Sequence, residues 1–197
     1  MTTKIDLLLT RRSVLAMNLV EPGPDDDALS LILQAGIRVP DHGRCEPWRI
    51  QVLRKEAQNE LSKACVEIFK RENPDAGEAQ IEAEGTRLQR SPLLLVVTSH
   101  PNPEKFVKVP EIEQTLSSAA VCQNILIATQ ALGFNAQWVT DWPAYHPGVR
   151  TELGHSSDTK IVGFIHIGTA NQPPNERPRP EFETIVSEWN PTHPKIS

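Results

Sequence analysis

Three clusters of side chains in this 197-residue chain are equipped to hold a ligand. Arg11-Arg12-Ser13 sets two guanidinium groups beside a hydroxyl, and bidentate guanidinium forks make good phosphate clamps. Arg38-Val39-Pro40-Asp41-His42-Gly43-Arg44-Cys45-Glu46-Pro47-Trp48-Arg49 packs two prolines, a glycine, an imidazole, three guanidinium groups and a tryptophan into twelve residues. A mere connector needs turn formers alone. Cationic donors beside a large aromatic ring suit a flat, polar, anionic ligand. Arg177-Pro178-Arg179-Pro180 gathers two more guanidinium groups late in the chain. Each cluster also has a plainer reading. Arginines at a helix C-terminus contribute about 0.3–1 kcal/mol each, a polar turn can carry Trp48 into the core, and proline stiffens a solvated linker.

The elements that must present these clusters follow from hydrophobic spacing. Ile5, Leu7, Leu8 and Leu9 predict a short first helix, capped by Thr2 or Thr3 and ending at Thr10. Asp25-Asp26-Asp27 suits a helix N-terminus, and Ala28, Leu29, Leu31, Ile32, Ala35 and Gly36 mark that helix's apolar face. Residues 48–53 alternate like a strand, and 55–71 read as a helix with Leu61, Ala64, Cys65, Ile68 and Phe69 on one side. Residues 75–89 read as a polar helix, exposed and mobile, that Ser91-Pro92 stops. The run 93–99 is a fully buried strand. The longest helix spans Glu111 to Leu132 and ends at Gly133; its centre, Ser117-Ser118-Ala119-Ala120, is small on all sides. Such a helix is either the hidden axis of the domain or packs closely on a second subunit. Strands at 135–139 and 160–168 flank a short helix near 147–153.

A Pro-rich arm from Asn171 leads to a last strand-like run, Phe182 to Trp189, with no partner nearby in sequence. It is expected to pair with another subunit by strand exchange. The class is α+β: one domain over 1–197, with a mixed sheet of about five strands flanked by helices and an arm over about 171–197.

Several chemistries are excluded. The net charge of −5 argues against nucleic acid or an anionic membrane as the main partner, so any anion site is local. No apolar run is long enough to span a bilayer. Met1 to Asp6 lacks a basic leader, and Cys45, Cys65 and Cys122 form neither a disulfide framework nor a C-x-x-C site, so a cytoplasmic location is expected. There is no G-x-G-x-x-G, Walker A, H-E-x-x-H or G-x-S-x-G motif. His100, His146, His155 and His193 lie in loops without ligand-spaced neighbours, and His166 reads as a satisfied core or interface histidine. No metal site is expected.

Taken together, the segments resemble the nitroreductase family. Arg11-Arg12-Ser13, Pro40-Asp41-His42 with Pro47-Trp48, Lys108-Val109-Pro110, Gly133-Phe134 with Trp138-Val139-Thr140, Ile161 to Gly168 and Arg179-Pro180 occur in the family's order, over nearly the whole chain. The likeness is nearest to a compact branch that has P-D-H in place of the common P-S. It implies an FMN-dependent homodimer with a flavin in each of two interface clefts. Arg11, Arg12 and Ser13 match the segment that grips the phosphate and ribityl chain, and Arg179 matches a late basic residue that reaches the phosphate. Arg38 and His42 match flavin contacts of the P-D-H branch, and Trp138, Val139 and Thr140 match the strand end beside the isoalloxazine or its tail.

The implied activity is reduction of nitro compounds, quinones or similar small electrophiles, with NADH or NADPH as donor in a ping-pong cycle. No side-chain acid or base is implied, and water can supply the proton. The chain departs from the commoner pattern at Asp41, Arg44 and Glu46, which replace the Ser, Asn and Gln of the opening loop. Leu15 replaces a phosphate arginine, and Val139 an arginine of the near branch. Two other readings stand beside this one: a non-catalytic flavin-binding protein that kept the fold, and a small anion-binding module using Arg11, Arg12 and Arg179.

Overall fold

The computed structural model describes residues 4–189. The expected caps Thr2 and Thr3, and His193, lie outside them. Among these residues eight α-helices and five strands are formed: α1 (Lys4–Thr10), β1 (Leu19–Val20), α2 (Asp26–Gly36), β2 (Trp48–Leu53), α3 (Lys55–Glu72), α4 (Glu78–Arg87), β3 (Leu93–Ser99), α5 (Glu111–Ala131), β4 (Asn135–Val139), α6 (Asp141–Tyr145), α7 (Pro147–Glu152), β5 (Lys160–Ala170) and α8 (Phe182–Ile185).

β5 is the hub of the sheet. It pairs with β3 along one edge, with β4 along the other, and with β1 near its C-terminal end, while β2 pairs with the outer side of β3. All seven residues of β3 are buried, as the continuous apolar run predicts for a strand covered on both faces. Alternate residues of β3 serve two cores. Leu95 and Val97 join Ile165 and Ile167 under α2 and α5, with Ile32, Val121 and Ile125. Leu94 and Val96 join Phe164 beneath α3 and α7, with Leu61, Cys65, Ile68 and Val149.

The α+β class and the number of strands are as expected, though β1 is the fifth strand in place of the run 182–189, and the sheet is not mixed: every pairing among the described residues is antiparallel. The connections explain this. Two helices separate β2 from β3 and two separate β4 from β5, so the chain returns each time to the end it left. The single helix α5 does join two strands of like direction, β3 and β4, but β5 lies between them.

Other corrections are local. Leu31 is exposed, because it falls two residues from Leu29 and turns away from the buried face of Leu29, Ile32 and Gly36. α4 is polar and mostly exposed, as expected, but it is anchored. Its Glu84 and the following Leu88 are buried, and the Glu84 carboxylate accepts hydrogen bonds from Arg87 and from Trp142 Nε1. Ser117 and Ser118 face their own domain: Ser117 donates to the Pro40 carbonyl at 2.7 Å and accepts from Trp48 Nε1 at 3.3 Å. The exposed apolar stripe of α5 is instead Ile112 and Leu116. The run 182–189 pairs with no strand among the described residues; its start forms the short α8, and Phe182, Ile185, Val186 and Trp189 are exposed.

Candidate functional site

Two adjoining concavities lie where the N-terminal segment meets β4. The larger, a groove of about 640 Å³, is lined by Arg11, Arg12, Ser13, Trp138, Arg177 and Arg179, among others. Its floor is set by backbone geometry. Leaving α1, the chain is pinned to β4 by Val14 N–H to the Ala136 carbonyl at 3.2 Å and Ala16 N–H to Gln137 Oε1 at 2.6 Å. That holds Arg11-Arg12-Ser13 beside Trp138. The opposite wall is the proline-rich arm, fastened where Arg12 donates from Nε and a terminal nitrogen to the Asn175 carbonyl at 3.2 and 3.0 Å.

The groove concentrates positive charge. Burial, then Arg12 and Arg179, push the Arg11 guanidinium below its ordinary value, the mark of cations crowded without enough counter-charge. Glu176 provides part of that counter-charge, 3.6 Å from Arg12 and 3.3 Å from Arg179, but its side chain is 68% exposed and its pull is screened by water. An anion with several acceptor oxygens would satisfy these forks better than one carboxylate.

The smaller concavity, a chamber of about 160 Å³, shares Leu15 and Gln137 with the groove. Val139, Thr140, Leu88, Phe164, His166, Arg87 and Arg90 lie on its walls. Its rim is braced. Asp141 has a left-handed backbone (φ +55°), uncommon for a non-glycine residue, and its side chain is held. Arg87 and the Trp142 N–H both donate to its carboxylate. Arg87 also binds both oxygens of Glu84, at 2.8 and 2.5 Å. Burial alone would raise the Glu84 carboxyl; hydrogen bonds from Arg87 and Trp142 outweigh it and hold the group below the usual range.

The groove thus gathers Arg11, Arg12, Ser13, Trp138 and Arg179, and the chamber takes in Val139 and Thr140. Arg38 and His42 join neither within one chain. Both are exposed beside α5, where Asn124 donates to the Arg38 carbonyl and His42 Nδ1 lies 2.7 Å from Glu113. The opening loop is committed to itself. Asp41 accepts from the Cys45 and Glu46 N–H groups at 2.9 Å each, and Lys105 donates to the Gly43 and Arg44 carbonyls. Trp48 packs against the core under α5, the plainer of its two readings. Gln137, Arg87, Arg90 and His166 are site residues that spacing did not reveal. Gln137 had a signal, its place beside Trp138. The others are brought in by a helix end and a sheet face that only the fold defines. No group of three metal-ligating side chains forms among the described residues.

The Nitroreductase family profile matches residues 8–169 of the chain. YdjA of Escherichia coli (strain K12), which carries the provisional name NAD(P)H nitroreductase, is 32% identical over 165 residues, covering 84% of this chain and 87% of YdjA. Among solved structures, a nitroreductase-like family protein from Bacillus cereus superposes with a TM-score of 0.80 at 21% identity, covering 96% of this chain and 97% of the other. A provisionally named nitroreductase from Desulfovibrio desulfuricans, solved in complex with FMN, superposes with a TM-score of 0.71 at 21% identity, covering 95% and 97%. At such identities these two likenesses are of fold.

Proposed function

The chain belongs to the nitroreductase family, and from that premise we propose that it is an FMN-dependent oxidoreductase that uses NADH or NADPH to reduce nitro compounds, quinones or similar small electrophiles. What carries the reading is the groove: the adjacent Arg11 and Arg12 meet the sequence-distant Arg179 beside Ser13 and Trp138, and lack a full counter-charge. That donor set fits a phosphate monoester, with Arg11, Arg12 and Arg179 as charged forks and Ser13 as a hydroxyl partner. Trp138 lines the same groove, which meets the chamber at Leu15 and Gln137. The chemistry FMN supplies when bound is two-electron transfer, a hydride accepted from NADH or NADPH and passed in a ping-pong cycle to the second substrate.

The protein's own tasks are binding, orientation and exclusion of water. The guanidinium groups fix the tail, and the brace on Asp141 fixes the backbone at the end of β4. Leu15, Leu88, Val139 and Phe164 give the chamber dry walls, against which polar interactions are stronger than in water.

Homodimerisation is part of the proposal. Ile112 and Leu116 on α5, Leu8 and Leu9 on α1, and Phe182, Ile185 and Trp189 on the arm are large apolar side chains left exposed in one chain. Arg38 and His42 flank that surface, so a partner copy would carry them toward the other subunit's cleft. The test is direct. The purified protein should show flavin absorbance, or take up added FMN, and oxidise NADH or NADPH with menadione or a nitroarene as acceptor. A protein that refuses FMN overturns the reading; one that binds FMN without turnover is the non-catalytic flavin protein.

A further inference from the structure

One wall of the chamber carries an unsatisfied group. His166 is 1% exposed, and its Nδ1 lies 2.9 Å from Ser91 Oγ. That hydroxyl donates its one proton to the Leu93 carbonyl at 2.8 Å, so it must accept from Nδ1–H, which fixes the tautomer. Nε2 is left as an acceptor without a partner among the described residues. The ring lines the chamber. Burial, and then Arg90, push the imidazole down to about 4, so the ring stays neutral at physiological pH. Arg90 lines the same chamber and makes no hydrogen bond or ion pair among the described residues.

An acceptor near a guanidinium that no hydrogen bond engages calls for a ligand edge with the reverse pattern, an N–H next to a carbonyl oxygen. The chamber volume of about 160 Å³ is near that of a cavity that holds benzene, so it admits one six-membered ring end-on and not a fused tricycle. Because groove and chamber share Leu15 and Gln137, one elongated ligand can place its anionic tail in the first and a ring edge in the second.

We propose that His166 and Arg90 recognise a cyclic imide edge, His166 Nε2 accepting the ring N–H and Arg90 donating to a flanking carbonyl. Resting on the function proposed above, that edge is the pyrimidine edge of the flavin. The pair takes over a task for which the opening loop is poorly placed, since both Asp41 oxygens are bonded within the loop.

The test compares FMN with its 3-methyl analogue, in which the imide N–H is replaced by N–CH₃, by quenching of flavin fluorescence. The wild-type protein should prefer FMN by roughly tenfold or more, because the analogue leaves a buried acceptor unpaired. In His166→Phe the preference should shrink to within about twofold. Should that variant fail to fold, the wild-type comparison still decides the matter, together with Arg90→Gln at an exposed position. Arg90→Gln should weaken FMN roughly tenfold while leaving inorganic phosphate binding in the groove unchanged. If wild type binds both flavins equally, or His166→Phe folds and still discriminates, the assignment falls while the flavin reading stands. If neither flavin binds, both fall.

Discussion

Gly163 on β5 is the position where the smallest possible addition should do most harm. A Cβ built there would lie 1.9 Å from Trp138 Nε1 and 2.3 Å from Trp138 Cδ1, so the indole already fills the space a side chain needs. To regain ordinary contact near 3.5 Å the ring must retreat by roughly 1.5 Å. The indole N–H donates to the Val162 carbonyl at 3.1 Å, and a retreat of that size breaks the bond. A partly buried donor left without its acceptor costs about 1–3 kcal/mol, and overpacking a filled site about 1–3 kcal/mol more. Gly163→Ala should therefore lose about 2–6 kcal/mol in urea unfolding and alter the near-UV signal of the displaced indole. The decisive control is Trp138→Ala. With the indole absent, adding Gly163→Ala should cost less than about 1 kcal/mol, giving a large coupling energy. If the alanine costs the same in both backgrounds, the indole is not the obstacle and the reasoning is wrong.

Further outcomes follow from other contacts. His166 is held at about 4 in the folded protein, against an ordinary value of 6.5, so between those pH values the unfolded chain binds a proton that the folded chain refuses. Stability is complete above pH 6.5 and falls as the pH drops toward 4, by roughly 3 kcal/mol from this group. Urea midpoints of wild type and His166→Phe should converge over that window; parallel curves would refute the assignment. Arg87→Met strips buried Glu84 of its bidentate partner and should cost about 2–4 kcal/mol, with a change in Trp142 fluorescence. A loss below about 0.5 kcal/mol would mean the brace is not structural. Arg179→Gln should leave the ligand-free protein no less stable in thermal unfolding, since it relieves crowding at Arg11, yet weaken orthophosphate and FMN binding roughly tenfold. Loss of stability without loss of binding would contradict the groove's role.

What the sequence revealed depended on whether the signal was local. Leu93 to Ser99 could only be a strand buried on both faces, and the alternation from Trp48 to Leu53 gave β2 its bounds, because period and burial are written in adjacent residues. Gly133, with φ +84°, ends α5 for an equally local reason. Most of the misreadings involve distant partners. Glu84 looks like a solvent-facing acid until Trp142, 58 residues away, is seen to donate to it. α6 was missed because Pro143 and two aromatic residues disguise a single helical turn. Phe182 to Trp189 has strand composition, but its expected neighbour is a second subunit, and within one chain it pairs with no strand among the described residues. The candidate site divides in the same way. Arg11-Arg12-Ser13 announced itself by adjacency, whereas His166 is distinguished by one missing hydrogen bond, which no sequence pattern counts.

The position of β5 has a consequence for synthesis on the ribosome. Its eleven residues, Lys160–Ala170, are the last of the sheet to emerge, yet they fill the gap between two strands made long before. Until then β3 and β4 have no common neighbour, and one edge of β3 waits unpaired. A nascent chain stalled before Lys160 would therefore hold most of its hydrophobic residues without the piece that closes them together, the condition in which chaperones find their clients.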